Sequence, residues 1–319
     1  MARIAVVTDS AACVPAELVQ KYDIHVVPLE LVWGGQSYRD GIDITPTEFY
    51  HRLRQSNSWP TTSQPALGDF ATLYARLGQE VDGIVSIHLS GELSATLRTA
   101  RLAAEQASPV PVRAIDSRTG AIAEGFVVLA AARAAAAGGT LEKVAAAAEA
   151  AIPRVGLFVT LETLGYLHRG GRIGEAAALL GSRLRIHPVL YLAAGRVKVA
   201  GVTRSRHKAV ERMLDLMAER VGERPMCVSV FHADARQEVE KLEVLVRSRF
   251  NCQEFYITEF TPVMGVHTGP GAIGLAFCAR EQGQGTRESE QPGRGAGRWE
   301  TRGAGPEAIV GGASAASEL

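Results

Sequence analysis

The feature of this sequence that most constrains its fold is a repeated alternation of short apolar runs with helix-like segments. Residues 3–9 and 83–87 are almost continuously apolar, and each run is followed by polar residues and then by a helix-like segment. Continuous apolar runs are typical of strands in a parallel sheet whose two faces are both buried. The alternation continues to the long alanine-rich segment at 121–137. It therefore predicts an α/β domain with a mostly parallel sheet and helices on both faces.

The pattern changes in the second half of the chain. Segments 187–192 and 196–202 have strand character, and Ala194-Gly195 between them is typical of a tight hairpin turn. Hairpins mixed with helices predict a second domain with a mixed sheet. We therefore predict an N-terminal mostly parallel α/β/α sandwich at 1–153 and a C-terminal mixed α/β domain at 154–280.

The two ends of the chain bear on its state and location. Residues 281–319 are rich in Gly, Arg, Glu and Ser and have no hydrophobic period, so we expect a disordered tail. The first apolar run is too short for a signal peptide, and no later stretch approaches ~20 uninterrupted apolar residues. These observations predict a cytoplasmic protein.

The charge balance argues against a nucleic-acid partner. The chain has 34 Lys and Arg residues and 34 Asp and Glu residues, which gives a formal net charge of zero. Binding to nucleic acid through its phosphates needs a basic excess that replaces counterions. We therefore predict that nucleic acid is not a ligand.

The common catalytic and cofactor motifs are absent from the sequence. It contains no GxxxxGK[ST] phosphate loop, no GxGxxG after the first strand, and no GxSxG elbow of a hydrolase. The histidines and cysteines show no spacing typical of metal ligands. The expectation is a ligand-binding architecture with no catalytic residues, no cofactor and no metal.

Hydroxyl side chains stand at two places where an open α/β sheet binds ligands, beyond the carboxyl ends of its strands. Residues 56–68 are dense in Ser, Thr and Pro and predict a loop. Within it, Thr61-Thr62-Ser63-Gln64-Pro65 offers hydroxyls that donate to a carboxylate, although such residues also serve as turn or cap residues. Ser94 precedes a helix-like run, so it is either an ordinary N-cap or shares the helix N-terminus with a bound anion.

His267 lies between glycines in the segment GVHTGPG. Packing in the core explains such a histidine poorly, because the glycines leave the neighbouring backbone open. When protonated, it would pair with a carboxylate, which would raise its pKa.

A basic segment, RGGR, ends at Arg172, and a second cluster begins at Arg204. Charge runs are most often a solvated surface. The alternative is a docking face for a partner, or guanidinium groups near a transferred phosphoryl group.

Together and in this order, the segments resemble the DegV family of bacterial fatty-acid-binding proteins. The resemblance runs from residue 3 to residue 280 and is carried by VTDSAA, TTSQPALGDF, SGELSATLRTA, LETLGYLHRGGRIG and GVHTGPGAIGL, among others. It departs from the family pattern at Ala95, where the family has Gly, and at His168 and Gly170, where Lys or Ser residues are usual. We expect Ala95 to affect the carboxylate geometry, and the other two to affect the partner surface.

The resemblance implies a function and a set of residues. It implies that a long-chain fatty acid such as palmitate lies in an apolar tunnel between the two domains, with its carboxylate bound by Thr62 and Ser94 near His267. It also implies that a partner kinase of the dihydroxyacetone-kinase type phosphorylates the bound acid to an acyl phosphate for phospholipid synthesis. Arg172 and Arg204 match family positions linked to docking of that kinase. A transient contact with the membrane is compatible with this role.

Two other functions remain open at this point. The chain would be an enzyme acting on a small polar acid if His267 were a general base in a short, wet pocket. It would be a regulator that binds nucleic acid or protein if the cluster at 204–208 were an interaction surface, which the zero net charge disfavours.

Overall fold

A computed structural model describes residues 2–181 and 186–280. The predicted C-terminal tail, 281–319, lies outside the described residues. The strands in the described ranges are β1 (Ile4–Asp9), β2 (Ile24–Val27), β3 (Glu30–Trp33), β4 (Gln36–Arg39), β5 (Thr61–Ser63), β6 (Gly83–His88), β7 (Val112–Asp116), β8 (Val155–Thr160), β9 (His187–Ala193), β10 (Arg196–Thr203), β11 (Met226–His232), β12 (Cys252–Glu259) and β13 (Ile273–Ala279). The α-helices are α1 (Ala16–Lys21), α2 (Pro46–Gln55), α3 (Leu67–Leu77), α4 (Thr96–Ala107), α5 (Ala121–Ala136), α6 (Leu141–Ala151), α7 (Gly165–Arg169), α8 (Arg206–Val221), α9 (Arg236–Arg249) and α10 (Pro262–Thr268).

The first half of the chain forms the parallel sheet that the apolar runs predict. Its order is β2-β1-β6-β7, and every neighbouring pair is parallel. Successive residues of β1 face opposite sides: Ala5 and Val7 pack with α3 and α4, whereas Ile4 and Val6 pack with α5 and α6. Both faces are therefore buried, which explains the continuous apolar run and confirms the predicted sandwich.

Helix α5 lies between the two main sheets. It packs against β1 and β6 on one side and against β8 and β13 on the other. The helix is apolar almost all round, as expected for one buried on every side. A Cβ atom on Gly125 would lie 2.8 Å from the carbonyl oxygen of Ala12, so a glycine is needed for this close approach.

The second half forms a mixed sheet of order β10-β9-β8-β13-β11-β12. Only β11 and β12 are parallel to each other within it. Ala194 and Gly195 have φ values of 50° and 79°, as a tight hairpin turn requires, so the predicted hairpin is confirmed. One face of the sheet, with Phe158 and Val189, packs on α8 and α9. The opposite face belongs to the larger core that contains α5.

A small third sheet holds the segment that we predicted to be a loop around Thr62. Strand β3 pairs with β4 and, on its other edge, with β5, both antiparallel. Thr62 lies opposite Leu31, which is 31 residues earlier in the chain. The loop prediction was wrong here because a three-residue strand has no pattern of its own and is defined by its partner.

No helix in the described part of the chain is both long enough and apolar enough to cross a bilayer. The division of the folded part at residue 153 stays a prediction.

Candidate ligand-binding site

A cavity with about 950 Å³ of free volume, counting its mouth, lies against the inner face of the mixed sheet. Leu157 and Val159 of β8 and Leu190 and Leu192 of β9 form part of its wall. The first half of the chain contributes Leu29, Leu89 and Leu93. The cavity is thus lined from both sides of residue 153, and its mostly apolar lining with a few polar groups is that of a small-molecule site.

Polar side chains occur in the same lining. Four of the five residues singled out in the sequence contribute to it: Thr62, Ser94, Arg172 and His267. Thr62 Oγ1 and His267 Nε2 are 2.9 Å apart, so residues separated by 205 positions form a hydrogen bond. Arg204 is exposed and does not line the cavity.

His267 is carried by a helix, whereas the flanking glycines had indicated open backbone around it. It lies on the last turn of α10, which begins at Pro262 and ends before Gly269, where φ is 71°. Gly265 packs under the aromatic rings of α2, since a Cβ atom there would lie 2.6 Å from Phe49. The glycines therefore allow the helix to pack closely and then to end. A helix of seven residues is too short to show a 3.6-residue hydrophobic pattern in the sequence.

Asp40 anchors this short helix from the first half of the chain. Its Oδ1 accepts the backbone N–H of Val263 at 3.0 Å, and its Oδ2 accepts the hydroxyl of Ser10 at 2.6 Å. Burial raises the pKa of the Asp40 carboxyl. The role of Asp40 has no local signal in the sequence, because its partner Val263 lies more than 220 positions away.

The electrostatic state of His267 follows from its surroundings. Burial, reinforced by the positive charge of Arg172, lowers the pKa of His267 to about 4. Its Nδ1 is buried and has no hydrogen-bond partner among the described residues. The ring is therefore neutral at pH 7 without a ligand. The predicted rise in the pKa refers to the state with a bound carboxylate.

Ser94 is not the N-cap of the following helix, which was one of its two possible roles, but lies one residue before the cap position. Helix α4 begins at Thr96, and Ala95 occupies the cap position. Ser94 Oγ accepts the backbone N–H of Thr96 at 3.3 Å and is 2.9 Å from the Thr96 hydroxyl. Ala95 has φ −80°, a value open to any residue, so its replacement of the family glycine causes no backbone strain.

Arg172 is half-buried and points inward, although we predicted a docking role for it. Its Nε donates to the carbonyl oxygen of Leu93 at 3.0 Å, next to Ser94, and its Nη1 donates to that of Gly170 at 2.7 Å. The docking role of Arg172 and Arg204 stays a prediction. No group of three or more potential metal ligands converges within the ranges 2–181 and 186–280.

The fold and the cavity define a class: two-sheet α/β proteins that enclose an apolar cavity with hydroxyl, imidazole and guanidinium groups in its wall. The family model described as "Uncharacterised protein, DegV family" matches residues 3–280. The chain belongs to the DegV family.

Curated relatives support this membership over their whole length. A DegV domain-containing protein of Streptomyces coelicolor is 39% identical over 279 residues, which cover 87% of this chain and 99% of the relative. Protein DegV of Bacillus subtilis is 34% identical over 277 residues, which cover 86% and 99%.

Solved structures of similar proteins are described as those of fatty-acid-binding proteins. A DegV family protein from Thermus thermophilus, described by its fatty acid binding, has a TM-score of 0.82 and 36% identity, covering 87% of this chain and 100% of its own. DegV from Bacillus subtilis, described as a fatty acid binding protein, has a TM-score of 0.81 and 34% identity, covering 88% and 100%. A stearic-acid-binding protein from Eubacterium ventriosum has a TM-score of 0.79 and 26% identity, covering 88% and 98%.

Proposed function

We propose that this protein binds one long-chain fatty acid, such as palmitate, in the apolar cavity. The carboxylate is held by the hydroxyls of Thr62 and Ser94 near His267. The observation that carries the proposal is the 2.9 Å contact between Thr62 and His267 in the wall of a cavity whose other walls are mostly leucine and valine. The fatty acids bound by similar proteins support it.

The apolar walls and the hydroxyl groups of the cavity contribute differently to binding. Burying each methylene of an acyl chain contributes about 0.8 kcal/mol, from which the costs of ordering the ligand are subtracted. The apolar walls therefore supply most of the affinity. The hydroxyls of Thr62 and Ser94 fix the orientation of the head group, because they donate only to acceptors placed within hydrogen-bond distance.

The protein presents the bound acid to a kinase and catalyses no reaction alone. A carboxylate is a poor phosphoryl acceptor unless it is held in line with the nucleotide, so positioning is the contribution expected of this chain. A partner of the dihydroxyacetone-kinase type would supply the nucleotide and Mg²⁺ and form the acyl phosphate used in phospholipid synthesis. The exposed Arg204 is suited to docking such a partner, and loading of the acid involves a transient contact with the membrane.

An enzyme that uses His267 as general base on a small acid is the weaker alternative. A base works best when its pKa lies near the operating pH, whereas the pKa of His267 is lowered to about 4. The lining of the cavity is also more apolar than a small polar acid needs.

The experiment that tests the proposal removes both hydroxyls. The protein is purified from a bacterial host, analysed by native mass spectrometry, stripped of ligand and titrated with palmitate. A hydrogen bond to a charged group contributes about 1.5–3 kcal/mol, so we expect the Thr62→Ala/Ser94→Ala variant to bind palmitate about a hundredfold more weakly. The variant should remain folded, with a loss of about 1–3 kcal/mol in urea unfolding because His267 Nε2 loses its Thr62 partner.

The matched control is Thr61→Ala, which changes an exposed hydroxyl on the same strand outside the cavity. It should bind palmitate like the native sequence. Equal affinity in the double variant and the control would refute the assignment of the head-group residues. A native protein that is empty and ignores added palmitate would refute the function itself.

A further inference from the structure

Two cysteines that are far apart in the sequence lie side by side in the mixed sheet. Strands β11 and β13 are antiparallel neighbours, and their register places Cys227 directly opposite Cys278. Neither residue lines the cavity, so the proposed function does not involve them. Their spacing in the sequence matches no metal-binding or redox motif, and only the pairing of the strands brings them together.

Both cysteine side chains lie on the same face of the sheet. Cys227 and Cys278 pack in the larger core that contains α5. Their chain neighbours Val228 and Phe277 pack on the opposite face, against α8 and α9. Residues directly opposite each other on antiparallel strands share a face, so the two thiols are cross-strand neighbours.

The hydrogen bonds between the two strands fix the spacing of the cysteine pair. The backbone N–H of Arg280 donates to the carbonyl oxygen of Pro225 at 2.9 Å, two residues along each strand from the cysteines. Hydrogen-bonded and non-hydrogen-bonded pairs alternate along an antiparallel ladder, so Cys227 and Cys278 are also a hydrogen-bonded pair. The Cα atoms of such a pair are about 5.5 Å apart, within the range of about 4.4–6.8 Å that disulfides span.

The surroundings of the pair limit how fast it reacts. Cys227 is only 7% exposed, whereas Cys278 is partly exposed and is the thiol that a small oxidant reaches first. Burial raises the pKa of Cys227 to about 11, against the opposing positive charge of Arg133, and burial also raises the pKa of Cys278. Because the thiolate is the reactive form, both cysteines react slowly at neutral pH.

We propose that Cys227 and Cys278 are an oxidation site, at which a hydroperoxide forms a reversible disulfide between β11 and β13. The sulfur of Cys278 attacks one oxygen of the hydroperoxide. This breaks the O–O bond, gives a sulfenic acid and releases water or an alcohol, which takes the thiol proton. The sulfur of Cys227 then attacks the sulfenic sulfur, and the S–S bond forms as water leaves. Two thiols are oxidised and one hydroperoxide is reduced.

The geometry also makes the bond easy to reverse. In a hydrogen-bonded pair the Cβ atoms are about 5.5 Å apart, whereas a disulfide holds them at about 3.5–4.5 Å. The two strands must therefore approach each other locally, and a strained disulfide is readily reduced by thiols. In a reducing compartment the bond would be transient and would form only while the oxidant persists.

The experiment oxidises the full-length protein with hydrogen peroxide. The protein is then unfolded, its free thiols are alkylated, and its peptides are mapped by mass spectrometry without reduction. We expect a linked pair of peptides that contains Cys227 and Cys278, and alkylated Cys13 and Cys252. A small dithiol added before unfolding should remove the link.

The same samples are compared in thermal melts. A bond between β11 and β13 closes a long loop in the unfolded chain, so the oxidised protein should melt about 5–10 °C above the reduced protein. Palmitate affinity should be the same in both forms, because the pair lies outside the cavity. A failure of the proposed function would leave this test unaffected.

The matched control is Cys252→Ser. Cys252 is also partly exposed, but it packs on the opposite face of the sheet from the pair. This variant should keep both the link and the rise in melting temperature. Cys227→Ser and, separately, Cys278→Ser should lose both, and the melt of each reduced variant shows that it is folded.

Two results would overturn the proposal. One is recovery of Cys227 and Cys278 as free thiols, or as separately oxidised side chains, after peroxide treatment of the native sequence. The other is an equal rise in melting temperature in a folded Cys227→Ser or Cys278→Ser variant, which would place its cause elsewhere.

Discussion

His88 and His267 each form a hydrogen bond to a hydroxyl, but their surroundings differ in burial and in the number of hydrogen-bond partners. His88, at the end of β6, is fully buried; its Nε2 lies 2.7 Å from Ser86 Oγ and its Nδ1 lies 2.9 Å from Asp9 Oδ2. His267 has a partner for Nε2 only, Thr62, and faces the cavity. Both ring nitrogens of His88 thus have hydrogen-bond partners and are buried. His267 has one nitrogen without a partner among the described residues, and it lines the cavity.

The difference separates a structural cluster from a binding site. Asp9 accepts further N–H groups from Ala11 at 3.0 Å and Leu89 at 3.2 Å, so the cluster joins the ends of β1 and β6. A fully satisfied buried network rigidifies the fold and has no bond left to offer a ligand. A buried polar group without a hydrogen-bond partner destabilises the folded protein, so a ligand that supplies the missing hydrogen bond removes this cost.

Ser86, His88 and Asp9, which we call the sealed cluster, have the same hydrogen-bond arrangement as the catalytic triad of a hydrolase. Ser86 contacts one nitrogen of His88, and Asp9 contacts the other. All three side chains have zero exposure, and Ser86 Oγ is also 2.7 Å from the Tyr74 hydroxyl. A nucleophile must reach its substrate, so these contacts indicate a structural role. Geometry without access does not define an active site.

We expect the largest effect on stability when Asp9 of the buried His88 cluster is replaced. Asp9→Ala leaves the N–H groups of Ala11 and Leu89 and one nitrogen of His88 without their partner. We expect a loss of about 3–5 kcal/mol in the free energy of unfolding, measured by urea denaturation. Palmitate affinity of the folded variant should change little, since Asp9 does not line the cavity.

Asp116 provides the control for Asp9. It ends β7, and its carboxylate accepts only backbone N–H groups, at 2.8 Å from Arg118 and 3.4 Å from Gly91. Asp116→Ala should cost about 1 kcal/mol. Equal losses in the two variants would remove the distinction drawn for the sealed cluster.

A smaller effect on stability is expected at Glu124, a buried carboxyl group near Asp9 with one oxygen that lacks a hydrogen-bond partner among the described residues. It is fully buried in α5; Thr8 donates to its Oε1 at 3.4 Å, and Oε2 has no partner among the described residues. Burial, with the nearby charge of Asp9, raises the pKa of Glu124 well above its usual range. The folded state therefore holds a proton that the unfolded state releases above about pH 4.5, so stability falls as the pH rises.

The variant Glu124→Gln removes this pH dependence. Near pH 4.5 the two proteins should be about equally stable. The variant should gain on the native sequence by up to about 1.4 kcal/mol per pH unit as the pH rises towards 7, as measured by urea unfolding at several pH values. A constant difference across this range would show that Glu124 is ionised in the folded protein.

The smallest effect is expected at Ala95, beside the open site. Because its φ of −80° suits any residue, Ala95→Gly should leave palmitate affinity nearly unchanged. The greater freedom of glycine in the unfolded chain should lower stability by about 0.4–1 kcal/mol, seen as a small drop in melting temperature. A tenfold gain in affinity would instead mean that the carboxylate needs closer access to the backbone at this position.

Local patterns were sufficient for the elements that carry their own signals. The parallel sheet followed from continuous apolar runs, which the order β2-β1-β6-β7 confirms. The hairpin at Ala194-Gly195 followed from its turn residues. The resemblance in sequence then pointed to Thr62, Ser94 and His267, all three of which line one cavity.

Other parts of the site have no local signal. Strand β5 is defined by its pairing with β3, and the short α10 by Asp40 and the rings of α2. The inward direction of Arg172 depends on the Leu93 carbonyl oxygen, 79 positions earlier. Hydrogen bonds between distant segments leave no periodicity in the sequence, so these features were missed or assigned to the surface.

The sequence by itself determined the two-sheet α/β architecture, the membership of the family and the residue types available to a head group. These depend on hydrophobic period, turn chemistry and motif order, which are properties of neighbouring residues. Only the tertiary structure decided which histidine is sealed and which is open. Burial and hydrogen-bond satisfaction depend on what the whole fold brings around a side chain: Asp9 and Ser86 surround His88, whereas Gly170, Arg172 and a cavity surround His267.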